Sequence, residues 1–369
     1  NGVLRIAFVI PTLDQSGAER QLTTLACGLS GTHVDPHVIA LDRGGPYEQQ
    51  LQQASIPVQV LHKRGRFDPA AILRLRSALQ KLQPDIIQSF LFSANTLVRL
   101  PGIAPPQARI IVSERCVDSW KSSWQLWLDR QLANRAHCLT ANSQSVATFY
   151  RNLGVPAERI TVIPNGTATT PAALLTRSAA RQILGLPESA CVIGYIGRFA
   201  RQKRLQDLIW AFQLLHQTIE NSRLVLIGTG PEEERLKQLA AGFDCNRKIL
   251  FAGHRSDATA LLPALDAFVL PSEFEGMSNS LMEAMAAGVP CAASNISPNG
   301  ELIQNGEHGM LFPVGSGPEI ARTLLRMHRD PALSARMATQ AANRIHSEFT
   351  PQQMIDQHMQ LYQRLQQQK

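Results

Sequence analysis

The sequence predicts an α/β protein built from two doubly wound parallel sheets in tandem. Short β-branched runs alternate with amphipathic stretches along the whole chain, which is the rhythm of parallel strands joined by crossover helices. The rhythm halts at the turn-rich segment Pro164-Asn165-Gly166-Thr167-Ala168-Thr169-Thr170-Pro171 and restarts beyond it. At 369 residues the chain is also too long for one ordinary domain.

In order, the first half reads as strands at Leu4–Ile10, 58–61, 86–89, 110–113, Cys138–Ala141 and 160–163, with helical stretches at 18–29, 69–82 and 94–100. The second half restarts at Cys191–Ile196 and continues with 223–227, 249–251, Ala267–Leu270 and 290–293, each followed by a helical stretch. Residues 351–368 read as a Gln-rich helix with Met354, Ile355, His358, Met359, Tyr362 and Leu365 at helical spacing. That face is more apolar than a free tail needs, so the helix is expected to pack back on the first domain. Two such domains present the C-terminal edges of both sheets to one interdomain cleft, where open α/β sheets bind ligands.

Composition narrows the class. Apolar residues make up 44% and charged residues 18%, as in soluble globular proteins rather than disordered or membrane-spanning ones. The six cysteines are scattered, with no C-x-x-C pair and no His at ligand spacing, so reduced cytosolic thiols are expected rather than disulfides or zinc. The opening apolar run stops at Pro11, far short of the ~20 residues a membrane span needs, and neither a secretory signal nor a transmembrane helix is expected. The net charge of +7 is uneven: residues 1–170 hold 17 Lys and Arg against 11 Asp and Glu, the remainder 19 against 18. A basic half fits phosphorylated substrates or an anionic membrane surface. Nucleic acid is not expected, because the stacking aromatics of such a platform are missing.

The most informative stretch runs from Leu270 to Pro290. A strand ends at Pro271, a polar loop with Gly276 follows, and a small-residue helix opens near Ser280. The amides of Gly276, Met277, Ser278 and Asn279 would form an anion or hydroxyl cradle at that helix N-terminus. Glu275 lies on the loop and Glu283 on the helix, eight positions apart, and carboxylates suit sugar hydroxyls because each offers several acceptor sites. The plainer reading makes both acids surface charges near a helix start. Against it, Ala284, Ala286, Ala287 and Gly288 describe a closely packed helix with little reason to carry an unpartnered acid.

A second constellation follows the restart strand. Arg198 at its end and Lys203 near the next helix can converge on one phosphate group, a solvated basic loop being the alternative. Gly228-Thr229-Gly230 is a strand-to-helix turn lacking the third glycine of a dinucleotide fingerprint. His254-Arg255-Ser256-Asp257 ends a further strand, where Ser256 or Asp257 can serve as a helix cap.

Together these residues resemble the retaining glycosyltransferases of family 4, which have the GT-B fold of two Rossmann-like domains. Glu275 and Glu283 match that family's E-x7-E motif and Arg198 and Lys203 its basic pair; the likeness extends over nearly the whole chain, including Ile163-Pro164-Asn165-Gly166 at the hinge. The resemblance implies a catalytic set of Arg198, Lys203 and Glu275. The two cations would bind the donor diphosphate and stabilise its departing charge, which would be the largest catalytic term. Glu275 and the amides of Met277, Ser278 and Asn279 would hold the sugar, Glu283 the ribose hydroxyls, and Gly228 and His254 would flank the nucleobase. It implies no cofactor, the nucleotide diphosphate sugar being a co-substrate, and no divalent metal, in keeping with the absence of a D-x-D motif.

In the first half Ser16-Gly17-Ala18-Glu19-Arg20 matches the family's glycine-rich loop, with Ser16 where Gly is usual; Gly17 keeps a tight anion turn available for the donor. Many members carry His near Ser113-Glu114-Arg115 and at the end of the preceding strand, where this chain has Gln88-Ser89-Phe90. No catalytic His is therefore assigned, and the front-face mechanism implied by the resemblance needs none, since the leaving phosphate takes the acceptor proton. Ser16, Glu114 and Arg115 are the acceptor-side candidates. Trp120, Trp124 and Trp127 fall at helical spacing beside Lys121, Arg130 and Arg135. Such a stripe is more often core, yet it also suits a membrane interface presenting a lipid-linked acceptor.

The expected division is an acceptor-side domain over 1–170, joined by 351–369, and a donor-binding domain over 171–350. The expected activity moves a hexose or N-acetylhexosamine from a nucleotide diphosphate sugar, a UDP-sugar by frequency in the family, to a glycan or lipid-linked acceptor of bacterial envelope or exopolysaccharide synthesis. The expected place is the cytoplasm, peripheral to the inner face of the plasma membrane. The alternatives are a nucleotide-sugar epimerase on the same architecture and a protein that binds nucleotide sugars without turnover.

Overall fold

The structure, a computed structural model, describes residues 3–65, 68–117, 121–168 and 171–367. The chain divides into two compact units, Asn1–Gly166 with Thr350–Lys369, and Thr167–Phe349. No described helix is long and apolar enough to cross a membrane.

Unit 1 holds β1 (Leu4–Ile10), β2 (Val34–Ala40), β3 (Val58–Val60), β4 (Ile86–Phe90), β5 (Arg109–Glu114), β6 (Cys138–Ala141) and β7 (Ile160–Val162). They form one parallel sheet in the order β3-β2-β1-β4-β5-β6-β7. Unit 2 holds β8 (Cys191–Ile196), β9 (Ser222–Ile227), β10 (Ile249–Gly253), β11 (Ala267–Leu270), β12 (Cys291–Ser294) and β13 (Met310–Phe312), parallel in the order β10-β9-β8-β11-β12-β13. Both orders reverse direction once, between β1 and β4 and between β8 and β11, and ligands of such sheets bind beside that reversal. β2 and β13 are additions to the sequence reading, and the helix placed at 94–100 opens earlier, at Leu91–Val98.

The strands read as apolar runs because helices cover both faces. Ile6, Phe8 and Ile10 of β1 join one core, and Ala7 and Val9 join the core on the opposite face. The first of these is completed by the tail helix Pro351–Gln367, through Met354, Ile355, Leu361, Tyr362 and Leu365. It lies against the helix Gly17–Leu29 so closely that a Cβ on Gly28 would collide with Ile355.

The tail also completes a buried polar line. The Tyr362 hydroxyl donates to Gln88 Oε1, Gln88 Nε2 donates to Ser113 Oγ at 2.9 Å, and Thr140 Oγ1 donates to the same hydroxyl at 2.8 Å. Gln88 is fully buried, and both its amide oxygen and its amide nitrogen are hydrogen-bonded within this line. Tyr362→Phe should leave Gln88 Oε1 a buried acceptor without a donor, at a cost of about 1–3 kcal/mol. The check is a lowered urea midpoint with an unchanged slope.

Candidate functional site

The unit 2 constellations lie on the loops that leave β8 and β11, the two strands flanking its reversal point. Backbone bonds stitch these loops to their neighbours: Gly197 N to Ile227 O at 2.9 Å, Phe199 N to Thr229 O at 2.8 Å and Gly228 N to Gly253 O at 2.8 Å. Gly228 sits at φ 140°, and a Cβ there would run into the Gly197 carbonyl. A Cβ on Gly230 would meet the Phe199 carbonyl in the same way. The two glycines therefore serve a contact between loops, which is why they need no third partner to make a dinucleotide fingerprint.

Lys203 is held against Glu275 by a short ammonium–carboxylate contact, and Glu273 N donates to Gln202 O at 2.8 Å, so side chain and backbone both tie the β8 loop to the β11 loop. Arg198 is placed by its main chain, whose carbonyl accepts from the buried Tyr195 hydroxyl at 3.1 Å. Burial, reinforced by the Glu275 charge, pushes that phenol well above its ordinary range. The Arg198 side chain is exposed and makes no hydrogen bond or ion pair among the described residues.

Neither acid is a surface charge: Glu275 is 7% exposed and Glu283 6%. The plainer reading of the pair is thereby overturned. Gly276 and Met277 are buried beside Glu275, and Ser278 caps the helix Asn279–Ala286 by accepting from Leu281 N at 3.4 Å. Glu283, in the middle of that helix, accepts from the Thr259 hydroxyl at 3.2 Å. Spacing gave no hint of Thr259, which is drawn in from the 3-10 helix Ala258–Ala264. His254 is exposed just past β10. Asp257 holds the cap position without a side-chain cap bond: its carboxylate takes both bonds from Arg255, at 2.8 and 2.7 Å, and that guanidinium holds its pKa below the usual range against a weaker desolvation.

In unit 1 the candidate residues lie at the ends of β1, which flanks the reversal point, and of β5, one strand beyond it. Gly17 opens the helix Gly17–Leu29, and Ser16, at the cap position, donates its hydroxyl to the Glu19 carboxylate instead of capping the backbone. Thr12 Oγ1 donates to the other oxygen of Glu19 at 3.1 Å. The Ser16-x-x-Glu19 spacing, that of a capping box, is the sequence signal for this pairing.

Glu114 is engaged in a buried network. Its carboxylate accepts from Asn95 Nδ2 at 2.9 Å and faces Lys121 at 3.7 Å, while Asp129 takes Lys121 at 2.9 Å and Arg99 at 2.7 Å. Arg115 instead stands half-buried, with one guanidinium nitrogen on Asn165 Oδ1. Burial brings its pKa down to about 10, and the Glu19 charge opposes that shift. The core reading of the tryptophan stripe is overturned: on the helix Ser123–Leu132 it is Asp129 and Leu132 that are buried, while Trp124 is 44% and Trp127 61% exposed. Asp129 takes the inside because Arg99 and Lys121 meet it there; Trp120 lies outside the described residues.

With this geometry in view, two family models match the chain, one to each half: "Glycosyltransferase Family 4" over residues 15–170 and "Glycosyl transferases group 1" over 176–344. The N-acetyl-alpha-D-glucosaminyl L-malate synthase of Bacillus anthracis is 30% identical over 178 residues, 48% of this chain and 46% of that relative, so the match spans under half the relative's length. The lipopolysaccharide core biosynthesis glycosyltransferase LpsD of Rhizobium meliloti is 25% identical over 351 residues, 95% of this chain and 96% of LpsD. Among solved structures, HepE of Anabaena in complex with UDP-glucose superposes with a TM-score of 0.85 at 23% identity, covering 97% of this chain and 99% of HepE. That last likeness establishes the fold, two Rossmann-like domains of GT-B type.

Gly228→Ala tests the loop contact. Strain at a positive φ costs about 1–3 kcal/mol before the collision with the Gly197 carbonyl is counted. Denaturant unfolding followed in unit 2 should show at least that loss, whereas an unchanged midpoint would mean the loops are not held together through this glycine.

Proposed function

The chain belongs to the family 4 glycosyltransferases of GT-B fold, and from that membership we propose that it transfers a hexose or N-acetylhexosamine from a UDP-sugar, with retention, to a glycan or lipid-linked acceptor of envelope or exopolysaccharide synthesis. The observation that carries the donor half of this reading is the Lys203–Glu275 contact beside the exposed Arg198. A buried carboxylate compensated by a lysine is a stable resting arrangement, and removing either partner would leave a costly charge. A diphosphate arriving at Arg198 offers Lys203 a more highly charged partner. Lys203 then passes from Glu275 to the phosphate, and Glu275 is released to accept from the sugar hydroxyls.

The roles follow from that exchange. Arg198 and Lys203 bind the diphosphate and stabilise the charge that develops as the sugar departs, without a metal ion. Glu275 and the backbone at Met277, Ser278 and Asn279 hold the sugar; Glu283, oriented by Thr259, holds the ribose, and the base rests near Gly228 and His254. Unit 1 takes the acceptor, with Ser16 and Arg115 at its edge. Trp124 and Trp127, exposed beside the exposed Arg130 and Arg135, favour docking at an anionic membrane surface on the cytoplasmic side. The choice of uridine and of envelope glycans is supported by the UDP-glucose in the HepE complex and by the named role of LpsD.

Thermal-shift titration with UDP, GDP and ADP, each in EDTA, tests the donor site. A ligand well above its Kd stabilises by mass action, so UDP should raise the melting temperature. Arg198→Ala should weaken binding about ten- to a hundredfold, the scale of a charge-assisted hydrogen bond of about 1.5–3 kcal/mol. No shift with any nucleotide would remove the reading. Proton NMR of the product's anomeric centre then reads the stereochemistry, an inverted linkage contradicting retention.

A further inference from the structure

The unit 1 sheet ends at β3, and this edge is open. Val38 N donates to Pro57 O at 2.9 Å and Leu61 N to Ala40 O at 2.8 Å, so residues 57, 59 and 61 turn their backbone groups toward β2. Val58 and Val60, between them, turn theirs the other way, and these amides and carbonyls are unbonded among the described residues.

Between this edge and the helix Pro69–Leu82 lies a trough of about 450 Å³. The buried Leu61 and Ala78 line its bottom, and the exposed Gln59, His62, Arg74, Ser77 and Lys81 line its rim. No carboxylate is among the lining residues. Arg74 is fixed in place, donating from Nε to Leu61 O at 2.8 Å and from Nη2 to His62 O at 3.2 Å and Asp68 at 3.1 Å. Lys81 makes no hydrogen bond or ion pair among the described residues. The surrounding segment is strongly basic: residues 62–81 hold six Lys and Arg against one Asp, where the whole first half holds 17 against 11.

Cations on an edge strand guard it against pairing with further strands. A guard of one sign is selective. It repels a second copy of this chain, whose edge carries the same cations, and it attracts a strand that bears carboxylates. The alternation of β3 sets the pattern of that strand. Val58 and Val60 pack on the core of one face, while Leu61 belongs to the core of the other, together with Leu75, Ala78 and Leu79 of the helix. In an added strand, residues on the helix face meet Arg74 and Lys81, and residues on the opposite face extend the row of Val58 and Val60. An anionic lipid surface or a free phosphate could meet the cations, but neither pairs with both the amides and the carbonyls of an open edge.

We propose that the β3 edge is a docking site for an extended acidic segment of a partner protein, which adds as an eighth strand and alternates carboxylates with apolar residues. No residue of the donor or acceptor reading takes part, so the two stand or fall separately.

The probe is a fluorescein-labelled peptide of eight residues alternating glutamate and valine, blocked at both termini and titrated at low salt into the full chain with anisotropy as the readout. It should bind saturably, and Lys81→Glu should weaken it about tenfold, since an attraction becomes a repulsion. Two further peptides carry N-methyl groups on all glutamate amides or on all valine amides. Because the amides of a strand alternate in direction, the set facing β3 should abolish binding and the set facing solvent should spare it. This comparison leaves the protein untouched, so it decides even if Lys81→Glu fails to fold. Absence of saturable binding overturns the proposal, and so does equal binding of the two methylated peptides, which would mean that charge alone holds them. Capture of phosphatidylglycerol vesicles, lost in Lys81→Glu, by a chain that ignores the peptide would make the patch a lipid surface and overturn it as well.

Discussion

The second unit depends on how closely three backbone loops approach one another where β8, β9 and β10 end. Parallel strands leave their last carbonyls unpaired, and at this edge those groups are satisfied by the neighbouring loop rather than by side chains. Such an approach leaves no room for a Cβ, so the positions of Gly228 and Gly230 are set by packing between loops. Everything the loops carry inherits that rigidity. Arg198 follows directly from the loop held by Phe199, and Lys203 is fastened two residues before the point where the β8 loop turns into its helix.

The two units treat charge differently at corresponding edges. In unit 2 Arg198 is exposed and Lys203 is paired to the buried Glu275. In unit 1 Arg115 is half-buried against Asn165, and the buried Glu19 carboxylate accepts from hydroxyls. Much of the formal positive excess of the first half is carried by exposed side chains, Arg130 and Arg135 among them.

Much of the fold was legible because strands buried on both faces are continuous apolar runs. β2 escaped notice because Asp35, Pro36 and His37 interrupt it. The sheet tolerates that proline for a local reason. Val38 N donates outward to Pro57 O, so Pro36, two residues earlier, directs its missing donor to the same side, where β3 has not yet begun. β13 is three residues long and carries no pattern. In the candidate site the acids were legible from the small-residue helix around them. Their partners were not, since Lys203 stands 72 positions from Glu275 and Thr259 stands 24 from Glu283. Helical spacing likewise revealed the tryptophan stripe but not which way it faces, a matter decided by Arg99 and Lys121 capturing Asp129.

The discontinuity of unit 1 bears on how the protein is made. The tail helix that covers the face of Gly17–Leu29 and meets Gln88 is encoded after the whole of unit 2. At elongation rates of about 5–20 residues per second, roughly ten to forty seconds separate the two halves of that core. During this interval the nascent N-terminal body carries Leu22, Leu25 and Ala26 without the helix that finally encloses them. Unit 2, continuous in sequence, has all of its core residues available before the tail helix of unit 1 has been made.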